Sequence, residues 1–312
     1  MESTQWTPEQ VRFFDIAHEG AQLRALAGQA AGLNEYLAGL RPRSVVVLAT
    51  DQVAAAAARA VAQAYLPQAQ CPVVVARALP AFVGALDIVV TVGEAADCEW
   101  APRAMLTAQQ SGAATVFAGP PGPLADDVAD DAFLFTALPN VTGPAPARVA
   151  GALWLVMGGD PQALDEAAEA VDAELAACAP DRSADTNPAR QLAAFAAQAG
   201  GSGVMHSAPA GQAVSEAVAS VAAAVWATRG RSGTVVEAAQ LPQALDGAGT
   251  QQADDIFYDP FIDGALTWRV IFWGQEEANL PHSLAVNAAK GSEFSRALQL
   301  LTRAYAATAF DE

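Results

Sequence analysis

The sequence predicts an α/β protein: two doubly wound, mainly parallel domains with an N-terminal helical segment. Three observations carry that reading. Ser44–Ala49, Leu86–Val92 and Ala113–Ala118 are apolar runs of strand length without alternation, the pattern of strands buried on both faces of a parallel sheet. Segments of helical periodicity separate them, which makes βαβ units. The alternation stops at 179–188, a polar stretch bounded by Pro180 and Pro188, and then restarts. A polar, proline-bounded break of this kind reads as a domain linker. The expected division is residues 1–179, N-terminal helices plus a first domain, and 188–312, a second domain. The 312 residues suit two domains of roughly 100–200 residues each.

The elements follow in order. Val11, Phe14, Ile16, Leu23, Leu26, Leu33, Leu37 and Leu40 recur at helical spacing, and Thr7-Pro8 suits a helix start. Arg41-Pro42 ends that run. Ser44–Ala49 is the first strand, Thr50-Asp51 supplies a cap, and Gln52–Tyr65 is an alanine-rich helix. Cys71–Ala76 is the second strand and Leu86–Val92 the third, ended by Gly93. A helix is expected over Pro102–Ser111, a strand over Ala113–Ala118, a rigid turn over Gly119–Pro123 and a short strand over Ala132–Phe135. Helices over Arg148–Met157 and Leu164–Ala176 close the first half. The second half reads as a helix over Ala189–Ala199, a strand over Gly203–His206 and a helix over Gly211–Thr228. Strands over Thr234–Glu237, Thr267–Phe272 and Ser283–Val286 follow, then a helix over Phe294–Ala309.

Composition narrows the function classes. Hydrophobic residues are 53% of the chain and charged ones 16%, which is ample for buried cores. A formal net charge of −18 argues against nucleic acid and anionic membrane as partners. Three scattered cysteines, Cys71, Cys98 and Cys178, suit a reducing compartment. Met1–Thr4 opens without a basic or apolar leader, and no apolar run nears the ~20 residues of a membrane span. A cytoplasmic protein is expected.

Motifs exclude more than they assign. No Gly-x-Gly-x-x-Gly follows the first strand, where Ala49-Thr50-Asp51 stands instead. The single lysine, Lys290, lacks a Walker loop, and there is no Gly-x-Ser-x-Gly elbow. His18, His206 and His282 have no metal-ligand spacing, so neither cofactor nor metal is expected. Asp255, Asp259 and Asp263 sit four apart, the wrong spacing for a calcium loop. Gln275-Glu276-Glu277 after a strand reads as a helix-start carboxylate pair, or as acid/base groups. Ligands in open α/β sheets lie beyond the carboxyl ends of the strands, which puts the expected site at Gly93–Glu99.

Asp87-Ile88-Val89-Val90-Thr91-Val92-Gly93, Gly122-Pro123-Leu124-Ala125 and Asn187-Pro188-Ala189 resemble segments of sugar isomerase (SIS) domain proteins. The bifunctional phosphoglucose/phosphomannose isomerases and their actinobacterial relatives are the nearest likeness, which covers nearly the whole chain. The resemblance implies two SIS-like domains and a sugar phosphate or related carbohydrate derivative as ligand. Contacts are then expected at Gly93, Glu94 and Asp97, and at Ser207 beyond the 203–206 strand. The family carries Ser-x-Ser-Gly-x-Thr after its third strand; here the loop reads Glu94-Ala95-Ala96-Asp97-Cys98-Glu99, with no hydroxyl. Each carboxylate there opposes a phosphate by ~1 kcal/mol or more at short range. Aldose–ketose isomerisation needs a base for the proton between C1 and C2 and a group to open the ring. Glu237 and His282 are the candidates, with Glu94 and His206 weighed beside them. Three readings stay open: a SIS-type protein that binds without turnover, an active isomerase with a rebuilt site, and a non-catalytic partner-binding module. The apolar Phe257-Tyr258-Asp259-Pro260-Phe261 segment also predicts a homodimer, or packing of one domain on the other.

Overall fold

A computed structural model describes residues 6–128, 131–138, 143–200, 203–245 and 268–310. The 257–261 segment and Asp255, Asp259 and Asp263 lie outside the described residues. Among the described residues there are two parallel sheets. The first has the order β2-β1-β3-β4-β5, from Ser44–Ala49 (β1), Val73–Ala76 (β2), Asp87–Val92 (β3), Ala114–Ala118 (β4) and Ala132–Leu134 (β5). The second has the order β7-β6-β8-β9, from Val204–Ser207 (β6), Gly233–Val235 (β7), Arg269–Trp273 (β8) and Ser283–Val286 (β9). In both, the first strand in sequence lies between the second and the third, so each sheet has a switch point where the chain reverses its direction of winding.

The first sheet follows from its burial. All six residues of β1 and of β3 are buried, and Val45, Val46, Val47 and Leu48 pair in register with Ile88, Val89, Val90 and Thr91. Aliphatic residues on both faces leave no side for water, hence the absence of alternation. The helices of this half are Glu19–Tyr36 (α2), Gln52–Tyr65 (α3), Trp100–Gln110 (α4), Pro123–Val128 (α5), Pro146–Val156 (α6) and Pro161–Ala177 (α7), after Pro8–Ile16 (α1). At the start of α1 a reciprocal cap forms: the Gln10 amide donates to Thr7 Oγ1 and the Thr7 amide to Gln10 Oε1, the capping-box arrangement. Helix α4 starts two residues before Pro102 because proline is tolerated in a first turn. Glu99 takes its N-cap position without a side-chain cap bond, so Asp97, exposed in the preceding loop, caps nothing there. Gly122-Pro123 opens α5 rather than closing a bare turn.

The second half contains Pro188–Ala197 (α8), Ala213–Thr228 (α9) and Glu293–Ala307 (α10). Contacts group the chain into two compact units, residues 14–173, and residues 1–13 with 174–312. The boundary lies ahead of the 179–188 stretch, for two electrostatic reasons. Glu174, late in α7, takes a two-pronged bond from Arg303 of α10 at 2.6 and 3.1 Å. Glu9 is held by Arg190 of α8 at 2.5 and 3.0 Å, which ties the first residues to the later unit. Asn187 caps α8 by accepting from the Ala189 and Arg190 amides, so part of the expected linker is fixed structure. Among the described residues, no helix is long and apolar enough to cross a membrane.

Candidate functional site

At the switch point of the first sheet, β1 runs into Thr50-Asp51 and β3 into Gly93-Glu94. Asp51 works in two directions. One carboxylate oxygen accepts the Ala54 amide at 2.8 Å and caps α3; the other accepts the Glu94 amide at 2.7 Å. Gly93 has φ 125°, and a Cβ there would lie 2.6 Å from the second Asp51 oxygen and 2.3 Å from Thr50 Oγ1. Only glycine lets the β3 loop approach β1 so closely. The donors a bound anion would use, a helix-start amide and a loop amide, are therefore already taken by a carboxylate of the chain itself.

Charge is balanced in the same place by burial. Glu94 forms an ion pair with Arg148 of α6, their side chains 14% and 5% exposed. Burial raises the Glu94 pKa, Arg148 lowers it, and Asp51 raises it again. Behind this pair Glu19 of α2 is buried and accepts the Ala147 amide at 2.9 Å. Burial pushes Glu19 up to about 8, opposed by the Ala147 amide, with Glu94 adding to the rise and Arg148 reducing it. Near neutral pH Glu19 is thus protonated, which leaves the Arg148 guanidinium to Glu94. Thr50 Oγ1 and Arg148 Nε are buried without a hydrogen-bond partner. The expected contacts Gly93 and Glu94 meet here; Asp97 stays exposed beyond them.

The switch point of the second sheet is built from neutral groups. β6 ends in His206-Ser207, both buried. The Trp273 indole N–H donates to His206 Nδ1 at 3.1 Å, and the two rings lie parallel, with centroids 6.0 Å apart and 1° between planes. An indole only donates, so the proton of the neutral imidazole is assigned to Nε2. That nitrogen faces Gly233, where a Cβ would approach to 2.9 Å, and it has no partner. Burial lowers the His206 pKa to about 3. Ser207 is 1% exposed, and its hydroxyl has no partner. The chain then turns into α9, whose N-cap residue Gln212 makes no side-chain cap bond. Glu216 of the first turn accepts the Gly211 amide at 3.1 Å, so the turn holds a lone hydroxyl beside one internal carboxylate contact.

The two residues expected to do chemistry are not brought together. Pairing of β7 stops at Val235, so Glu237 does not end the strand. It stands exposed before the 3-10 turn Ala238–Gln240, on the carboxyl side of the sheet. His282 precedes β9, at the amino edge of the same sheet, exposed at φ 56° with Nδ1 2.6 Å from Arg269 Nη1. A strand of four residues separates those edges by roughly 13 Å. Glu276 and Glu277 are exposed. Arg148 and Glu19, absent from the expected set, carry no local signal: Arg148 opens a helix of apolar residues, and Glu19 looks like an ordinary acid at a helix start. Among the described residues, no group of three His, Cys, Asp or Glu side chains is placed to hold a metal ion.

No protein-family model and no curated protein sequence matches the chain. Solved structures match it over nearly its whole length. A protein from Silicibacter pomeroyi, provisionally assigned as a phosphosugar isomerase, is 14% identical with a TM-score of 0.65, covering 97% of this chain and 96% of that one. Tagatose-6-phosphate ketose/aldose isomerase from Escherichia coli is 12% identical with a TM-score of 0.61, over 94% and 91%. The C-terminal domain of glucosamine-fructose-6-phosphate aminotransferase from Francisella tularensis is 10% identical with a TM-score of 0.60, over 94% of each chain. At such identities the likeness is one of architecture, and it agrees with the resemblance read from the sequence: the chain has a sugar-isomerase-like fold.

Proposed function

We propose that the chain binds a sugar phosphate or related carbohydrate derivative and does not interconvert aldose and ketose. The observation that carries the reading is the buried Ser207 hydroxyl, without a partner among the described residues, at the turn into α9. A hydroxyl at the turn into a helix start is a donor that a phosphate or a sugar oxyanion takes, and among the described residues no side chain satisfies it. The exposed residues Ala210–Gln212 are the loop by which a ligand reaches it. The similar folds named phosphosugar isomerases support this ligand class. The order of the second sheet supports the position, since ligands gather at carboxyl-edge switch points.

The absence of turnover follows from placement. A ring opener and a base must reach adjacent atoms of one sugar, whereas His282 and Glu237 stand at opposite edges of a sheet. At the first switch point Asp51 fills the anion donors and Arg148 is paired with Glu94, so Gly93, Glu94 and Asp97 hold no phosphate. Association of the chain as a homodimer belongs to the same proposal. A melting-temperature series with glucose 6-phosphate and fructose 6-phosphate, run beside a coupled isomerase assay, tests it. Stabilisation that Ser207→Ala removes, without turnover, is the expected result. Turnover lost in Glu237→Gln would make the chain an isomerase.

A further inference from the structure

At the amino edge of the first sheet, opposite the Asp51 clamp, a cavity of about 690 Å³ opens. Small-molecule sites span roughly 300–1,000 Å³. Its floor is apolar and buried: Val45 of β1, Ile88 of β3, and Leu155 and Val156 at the end of α6. The space exists because three elements stop there together. Helix α2 ends at Tyr36, α6 ends at Val156, and residues 69–72 lead into β2. At the rim stand Asn34, Gln70 and Arg41.

Arg41 is the one charged side chain of this lining. It is exposed and, among the described residues, makes no ion pair. Arg43, two residues later, shows the alternative: Asp87 holds its guanidinium at 2.5 and 3.2 Å. In a chain with 34 acidic and 16 basic residues, a cation left unmatched at a polar rim above a buried apolar floor is complementary to a single anionic head on an apolar body. A dianion would call for a second cation, which the lining lacks; a neutral apolar ligand would gain nothing from Arg41.

We infer that this cavity binds an amphipathic monocarboxylate, its apolar body on the β1–β3–α6 floor and its carboxylate on Arg41. The site is independent of the carbohydrate reading, since its lining belongs to residues 14–173 whereas Ser207 belongs to the other unit. Cys71 also lines the cavity. Burial, and then the nearby Asp87, push its thiol pKa up, so it stays protonated and reports occupancy without reacting with the ligand.

Octanoate and 1-octanol are the probes, compared by calorimetry on the full chain. Alkylation of Cys71 by N-ethylmaleimide is followed in a Cys98→Ser background, where the remaining cysteine, Cys178, is buried. Octanoate is expected to bind and to slow alkylation at saturation. Arg41→Gln is expected to weaken octanoate about fivefold while leaving 1-octanol unchanged, as loss of one partly exposed ion pair does. Arg41 is exposed, and an unchanged melting curve of the unliganded variant confirms its fold. No octanoate binding, equal binding to Arg41→Gln, or alkylation indifferent to octanoate would each overturn the proposal.

Discussion

The two switch points share a topology and differ in chemistry. In residues 14–173 the reversal at β1 and β3 is filled by the chain's own charges: Asp51 occupies the amides, and Glu94 pairs with Arg148. In residues 174–312 the reversal at β6 and β8 holds a neutral histidine under an indole and a hydroxyl with no partner. The contrast teaches that a carboxyl-edge crevice is an opportunity and not a site. What decides is whether the donors there have been satisfied internally.

The largest expected effect comes from breaking the ionic switch point. Arg148→Met leaves the buried Glu94 carboxyl without its cation, and breaking such a pair costs about 3–5 kcal/mol. Urea denaturation measures it; a cost below about 1 kcal/mol would mean that water reaches the pair. The equivalent change at the other switch point, Ser207→Ala, should be nearly neutral or slightly stabilising, because it removes a buried hydroxyl that has no partner.

The two regions should also respond to pH with opposite sign. Glu19 has a folded pKa of about 8 against 4.5 unfolded. The folded state therefore holds the extra proton across that interval, and stability contributed below pH 4.5 is lost as pH rises toward 8. His206 has a folded pKa of about 3 against 6.5. Its contribution is present above 6.5 and is lost as pH falls toward 3. Stability differences between wild type and Glu19→Gln, and between wild type and His206→Gln, should slope in opposite directions with pH. Parallel slopes would place the two groups in similar surroundings. Subtracting each variant matters because Asp87 has its own dependence: although burial alone would raise its pKa, Arg43, Ser44 and the Gly84 amide hold it below the usual range.

Much of the fold was legible in the sequence. β1 and β3 are readable as two-face-buried strands because every residue in them is aliphatic, small or β-branched apart from Asp87 at one end. Asp51 as a cap is equally local, since the amide it meets is three residues away. The candidate site was less legible, because its bonds are not local. Glu94 meets Arg148 across 54 positions, Ala147 meets Glu19 across 128, and Trp273 meets His206 across 67. No periodicity reports such pairs. Asp97 and Glu99 looked like part of a site because they crowd one loop, and exposure separates them from Glu94. His282 was a candidate for ring opening, and strand direction puts it at the amino edge.

A smaller effect sharpens the contrast at Asp51 itself. Asp51→Ala removes an N-cap and a loop anchor together, at about 1–2 kcal/mol, whereas Asp51→Asn keeps an acceptor for one of the two amides and should cost less. Chemical denaturation compares the two variants. If both cost the same, the charge of Asp51 and not its geometry holds the loop.

One measurement addresses binding and turnover at once: carbon-13 spectra of fructose 6-phosphate labelled at C2, followed over hours with the protein present. Broadening of the C2 resonance in wild type, absent with Ser207→Ala, and no new aldose signals are the predicted result. Aldose signals growing with time, or a C2 line indifferent to the protein, would contradict the account.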